Sequence, residues 1–225
     1  RDVNIPGDIS SAAFLIAAAA LLPDSDLAIE GVGLNPTRTQ FLSTLRSLGI
    51  DIEVLDGRDE SNEPVGTVRV RGRKNASETL KPERYKISNI VRSRLIPQLI
   101  DELPLLAVVG TQVSGGIEIR DAAELRVKEA DRISATVKNL RAMGAEVEEY
   151  EDGLRVAGPT LLHGATLDSF GDHRIAMAFT VAALLADGTS EIAGDDCVAI
   201  SFPDRGSGHG SSGSDRSGRR RLDHP

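Results

Sequence analysis

The sequence predicts an α/β protein built from repeated strand–helix–strand–helix–strand–strand units. Three observations carry the prediction. Two long stretches run through one order of elements, the amphipathic helix in each closes on a glycine, and other helices are apolar on nearly every face.

The first unit begins with an Ala-rich helix over residues 10–22. Leu27-Ala28-Ile29-Glu30 alternates as a strand does, and Phe41, Leu42, Leu45 and Leu48 recur at helical spacing. Gly49 supplies a C-cap, and strands follow at 50–54 and 67–71, with Glu60-Ser61-Asn62-Glu63-Pro64 an exposed turn between them. The second unit has an apolar helix at 103–109, a strand at 116–119, and a helix striped by Ile133, Val137, Leu140 and Met143. That helix closes on Gly144, and strands at 145–149 and 153–156 complete the unit. A third copy starts at Ala165 and runs only to Pro203. A period of roughly 75–95 residues is too long for a solenoid and fits folding units within one domain, here residues 1–204. Helices at 12–22 and 175–185, apolar almost all round, belong inside it. From Arg205 onward Gly, Ser and Arg dominate, which predicts a disordered tail over 205–225.

Composition narrows the function. The 225 residues are 40% hydrophobic but only 3% aromatic, so the core is made from Ala, Leu, Ile and Val. A net charge of −8 argues against a nucleic-acid partner, which needs a basic face, and Arg219-Arg220-Arg221 reads as a solvated or artefactual end. The lone Cys197 excludes an internal disulfide framework, and with four scattered histidines it gives no metal-ligand spacing. No apolar run reaches the roughly 18 residues of a membrane span. A reducing, cytoplasmic setting with no membrane partner fits. The chain starts with Arg1 rather than Met, as a fragment or processed product would.

Charged and small polar residues gather at predicted helix starts: Gly7-Asp8-Ile9-Ser10-Ser11, Lys128-Glu129-Ala130-Asp131-Arg132 and Gly171-Asp172-His173-Arg174. Helix N-termini attract anions. Capping explains Asp8 and Asp172. It does not explain Arg132 and Arg174, which the helix dipole disfavours there. With Arg126 and Lys128 they form a basic set in an acidic protein, and arginine's planar fork suits carboxylate and phosphate. Taken singly, surface ion pairs account for such residues more often, and Asp101 more often caps a helix than catalyses. The residues alone therefore describe an α/β protein with an anion-binding cleft.

Read together, five segments resemble the 5-enolpyruvylshikimate-3-phosphate synthase family. Leu125-Arg126-Val127-Lys128-Glu129-Ala130-Asp131-Arg132 is similar to its LRVKE-[ST]-DR signature, and Asp172-His173-Arg174 to its second. Pro6-Gly7-Asp8-Ile9-Ser10-Ser11-Ala12, Ile100-Asp101-Glu102-Leu103-Pro104 and Ile200-Ser201-Phe202-Pro203 fall in the family's order. The resemblance implies an inside-out α/β barrel, with parallel helices within and sheets outside. It implies transfer of the enolpyruvyl group of phosphoenolpyruvate to shikimate 3-phosphate with release of phosphate, and no metal, nucleotide or covalent cofactor. By the same resemblance Asp101 contacts the shikimate hydroxyls and acts as base, and Lys128 binds shikimate 3-phosphate. Glu129 moves protons at the phosphoenolpyruvate methylene, Arg132 and Arg174 bind phosphoenolpyruvate, and His173 sits beside them. Replacing either arginine with Ala should then weaken binding without unfolding the domain.

The departures are specific. Ile200 stands where some members carry a lysine, Glu124 where some carry an asparagine, and Ala130 where Ser or Thr is usual. Family members are about twice as long, so the resemblance implies a C-terminal half whose partner is the N-terminal half, with little or no activity alone. The alternatives are a non-catalytic anion-binding half-domain and the related enzyme that acts on UDP-N-acetylglucosamine, which lacks the two specific signatures.

Overall fold

The computed structural model describes residues 5–75, 79–82, 89–200 and 219–222. The first unit runs α1 (Ile9–Leu21), β1 (Asp26–Gly33), α2 (Gln40–Ser47), β2 (Asp51–Glu60) and β3 (Glu63–Arg71). The second runs β4 (Ile90–Val91), the short α3 (Ile96–Leu99), α4 (Leu103–Gly110), β5 (Ile117–Ile119), α5 (Arg132–Ala142), β6 (Val147–Tyr150) and β7 (Gly153–Val156). The third has β8 (Thr166–Asp168), α6 (His173–Leu185) and β9 (Ser190–Ala193).

Sheet order displays the repetition. The second sheet is ordered β4-β5-β7-β6, with β4 parallel to β5 and the other pairs antiparallel. The first follows the same path as β1-β3-β2, and a parallel bridge from Gly7 to Val32 stands where β4 meets β5. In the third, β8 and β9 repeat the parallel step. Residues 219–222 form a further strand, β10 (Arg219–Leu222), antiparallel to β9 in the place of β3 and β7. Disorder was the expectation there. An open strand edge asks only for backbone donors and acceptors, which every residue type except proline supplies in full. The rest of that tail, with Ser201-Phe202-Pro203, lies outside the described residues.

Both glycine endings are Schellman motifs. Gly49 N–H donates to the Arg46 carbonyl and Ile50 N–H to that of Leu45, at 3.0 and 3.2 Å. Gly144 and Ala145 repeat this on Arg141 and Leu140, at 3.0 and 2.9 Å. The glycine φ values, 89° and 88°, lie in the left-handed region that other residues avoid. The expected turn at 60–64 shrinks to Ser61-Asn62, both with positive φ, so Glu60 and Glu63 pair across a two-residue hairpin.

The apolar helices lie inside. α4 is buried over its whole length, and it packs against α1 and α6, which also touch each other. The C-terminal ends of α1 and α4 are tied by Arg73, which donates to the Leu21 carbonyl at 2.9 and 2.6 Å and to Gln112 Oε1 at 3.3 Å. The N-terminal ends of α1, α4 and α6 meet at the opposite pole, where Arg174 reaches the Ser10 carbonyl and Asp101, so α1 and α4 run parallel with α6 packed on both. Among the described residues, no helix is long and apolar enough to cross a membrane.

Candidate functional site: the pole where the helices begin

Short acidic side chains start three of the converging helices. Asp8 accepts from the Ser10 and Ser11 amides at 3.3 and 3.0 Å, and Asp172 from those of Arg174 and Ile175 at 2.8 and 3.3 Å. Asp131 accepts from the Ser134 amide at 3.0 Å. α4 begins without a side-chain cap behind Asp101-Glu102.

Arg132, the first residue of α5, lies at the centre and is only 2% exposed. Its Nε donates to Asp172 Oδ2 at 2.7 Å, Nη1 to Asp101 Oδ1 at 3.1 Å and Nη2 to Glu129 Oε2 at 2.8 Å. Burial by itself would lower the Arg132 pKa. The hydrogen bond and charge of Asp172, with contributions from Asp101 and Glu129, outweigh burial and hold it above the ordinary value. This resolves the anomaly of an arginine at a helix start, because carboxylates reward the charge that the dipole penalises.

Asp101 also joins the second arginine. Its Oδ2 is 3.8 Å from Arg174 Nη2, while Arg174 Nη1 donates to the Ser10 carbonyl at 3.3 Å. Glu102 is buried between the same elements. Burial pushes its carboxyl pKa up, opposed by a hydrogen bond from Ser10 and by the charges of Arg174 and Arg38. Arg38, on the loop before α2, donates to Ser10 Oγ at 2.9 Å and lies 3.6 Å from Asp8. The sequence offers no sign of Arg38 and names Glu102 only beside Asp101, without a role, since nothing local marks a loop arginine or a second carboxylate as facing this pole.

Of the residues that the sequence singled out, Asp101, Glu129, Arg132 and Arg174 come together. Lys128 and Glu129 do not open the helix as expected. Asp131 caps it, and Lys128 sits in extended backbone before it, bonded to Glu124 at 2.6 Å. His173 is the first residue of α6, half-buried. Arg126 is a brace: it binds Asp131, Glu149 and the Glu151 and Tyr150 carbonyls, tying this loop to the β6–β7 hairpin. A recess of about 650 Å³ opens at the opposite pole beside Arg71, Arg73, Lys74 and Lys81, and none of the selected residues lines it.

Fold and pole together define a repeated-unit α/β domain with paired arginines set among carboxylates. A family profile described as EPSP synthase (3-phosphoshikimate 1-carboxyvinyltransferase) matches residues 1–205, and the chain belongs to that family. It is 52% identical over 201 residues to the 3-phosphoshikimate 1-carboxyvinyltransferase of Koribacter versatilis, covering 89% of this chain and 44% of the relative. With that of Desulforamulus reducens it shares 47% identity over the same coverage. The structure of EPSP synthase from Acinetobacter baumannii superposes with a TM-score of 0.78 at 35% identity, over 89% of this chain and 44% of that one. The enolpyruvyl transferase NikO from Streptomyces tendae, at 20% identity and a TM-score of 0.69, shares the fold, matched over 100% of this chain and 46% of its own. The chain thus spans under half the length of these relatives.

Proposed function

We propose that this chain is the C-terminal, substrate-binding half of a 3-phosphoshikimate 1-carboxyvinyltransferase, a cytoplasmic enzyme of aromatic amino acid biosynthesis. The observation that carries this reading is the convergence of Arg132, Arg174, Asp101 and Glu129 on one pole of a family member. The carboxylate of phosphoenolpyruvate displaces Asp101 and Glu129 from the Arg132 fork and binds Arg174 as its second arginine. Asp101, released beside the shikimate hydroxyls, accepts the proton of the attacking 5-hydroxyl. Glu129 delivers a proton to the methylene carbon and recovers one as phosphate leaves. Lys128 turns from Glu124 to shikimate 3-phosphate, and His173 lines the same pole. Positioning and electrostatics supply most of the rate, and the N-terminal half of the enzyme supplies the remaining phosphate contacts.

The test is calorimetric titration of the chain with shikimate 3-phosphate and then phosphoenolpyruvate at low salt. Binding of either, lost in Arg174→Ala, supports a preformed half-site. A cooperative melt with no binding of either would overturn that half-site reading. Phosphate release on adding the N-terminal half in trans would extend it to catalysis.

A further inference from the structure

Asp172 is the least exposed acid of the pole, at 0%, and its two oxygens do different things. Oδ1 caps α6 through the Arg174 and Ile175 amides, while Oδ2 accepts from Arg132 Nε at 2.7 Å. The other two carboxylates on Arg132, Asp101 and Glu129, are more exposed, with side chains at 36% and 55%. They hold Nη1 and Nη2, the atoms that an incoming carboxylate would use.

We propose that Asp172 is a positioning residue: it fixes the Arg132 guanidinium from behind through Nε. Through the cap it also sets the start of α6, and so places Arg174 relative to Arg132. The proposal deepens the functional reading above and rests on it for the identity of the anion. Its physical basis is that a guanidinium held at a single edge by a buried charged acceptor keeps its plane while partners on the Nη atoms exchange. Asp101 and Glu129 can leave when substrate arrives. Asp172 has nowhere to go, because its second oxygen is committed to the helix.

Asp172→Asn separates the two roles. Asparagine caps helices as well as aspartate does, so its carbonyl stays on the α6 amides. Its amide nitrogen then faces Arg132 Nε, donor against donor. Two measurements on the 225-residue chain decide the matter. By NMR, the Arg132 Nε–H of the wild type gives a resolved, slowly exchanging signal, and in Asp172→Asn this signal broadens or exchanges rapidly while the α6 amides stay protected. In titration with phosphoenolpyruvate, Asp172→Asn weakens binding about tenfold, the size of one charge-assisted hydrogen bond. In an Arg132→Lys background, where Nε is gone, the same change costs nothing further. An unchanged Arg132 signal in Asp172→Asn, or equal losses in both backgrounds, overturns the positioning role and leaves a plain cap. If the wild type binds no phosphoenolpyruvate, it is the preformed half-site that fails, and the Arg132 signal alone then judges Asp172.

Discussion

The first and second units share one chain path and one ending, yet of the two only the second starts its amphipathic helix on a buried arginine. Both run helix, strand, helix, strand, strand, and both second helices end on the same pair of Schellman hydrogen bonds. Their beginnings differ. α2 starts at Gln40 behind Thr39, which makes no capping bond, whereas α5 starts at Arg132 behind Asp131, which does. The first helices differ likewise: Asp8 caps α1 at the surface, and Glu102 before α4 is buried. Repetition preserves the scaffold at helix ends and frees the helix starts to specialise. Those starts face the pole.

The sharpest way to break this contrast is Arg132→Ala. It strands Asp172 as a buried charge and should lower stability by about 3–5 kcal/mol in denaturant melts. The comparable change in the first unit, Gln40→Ala, should leave the melt unchanged. That loss of stability departs from the sequence-based expectation that Arg132→Ala would weaken binding without unfolding the domain. That expectation still suits Arg174, which is 14% exposed in its side chain and has Asp101 as a distant partner.

Next come the shared endings, where the two units make the same backbone demand in different surroundings. Gly49→Ala and Gly144→Ala each place a side chain at positive φ, a cost of about 1–2 kcal/mol. Gly49→Ala should be the worse, since its new Cβ meets the Lys81 carbonyl oxygen at 2.7 Å, while at Gly144 it meets the His163 ring at 3.2 Å. Equal costs would mean that the Lys81 segment yields. A smaller difference is expected at the caps: Asp131→Ala should lower stability by about 1 kcal/mol, and Thr39→Ala by nothing measurable.

The smallest effect concerns Glu102, because Ser10, Arg174 and Arg38 offset part of its burial. A carboxyl whose pKa is raised on folding binds its proton more tightly in the folded state. Stability therefore falls as pH rises from the ordinary glutamate range through the raised folded value. Glu102→Gln should melt higher than wild type at pH 7, with the difference vanishing as both are acidified below the ordinary carboxylate range. A constant difference across that range would mean that Glu102 is not the titrating group.

Much of the scaffold was legible because it depends on local rules. The apolar stripe of Ile133, Val137, Leu140 and Met143 shows a covered helix face, and the glycines at 49 and 144 show where helices must stop. The short β4, α3 and the 3-10 turn over Ala123–Val127 carry too few residues for any period to register. At the pole, the arginines stood out because local rules failed to explain them. Their partners did not. Asp101 and Asp172 lie 31 and 40 residues from Arg132 in sequence, and no spacing rule links them.

The sequence by itself thus determined where the longer helices and strands lie, that the units repeat, and which family the motifs resemble, since periodicity, capping and short signatures act over neighbouring residues. Only the tertiary structure decided which arginine is buried, which carboxylates hold it, and that the Asp172 cap is also an ion-pair partner. Those outcomes depend on which helix starts converge and on what their meeting excludes from water. Burial, more than composition, sets the strength of an ion pair.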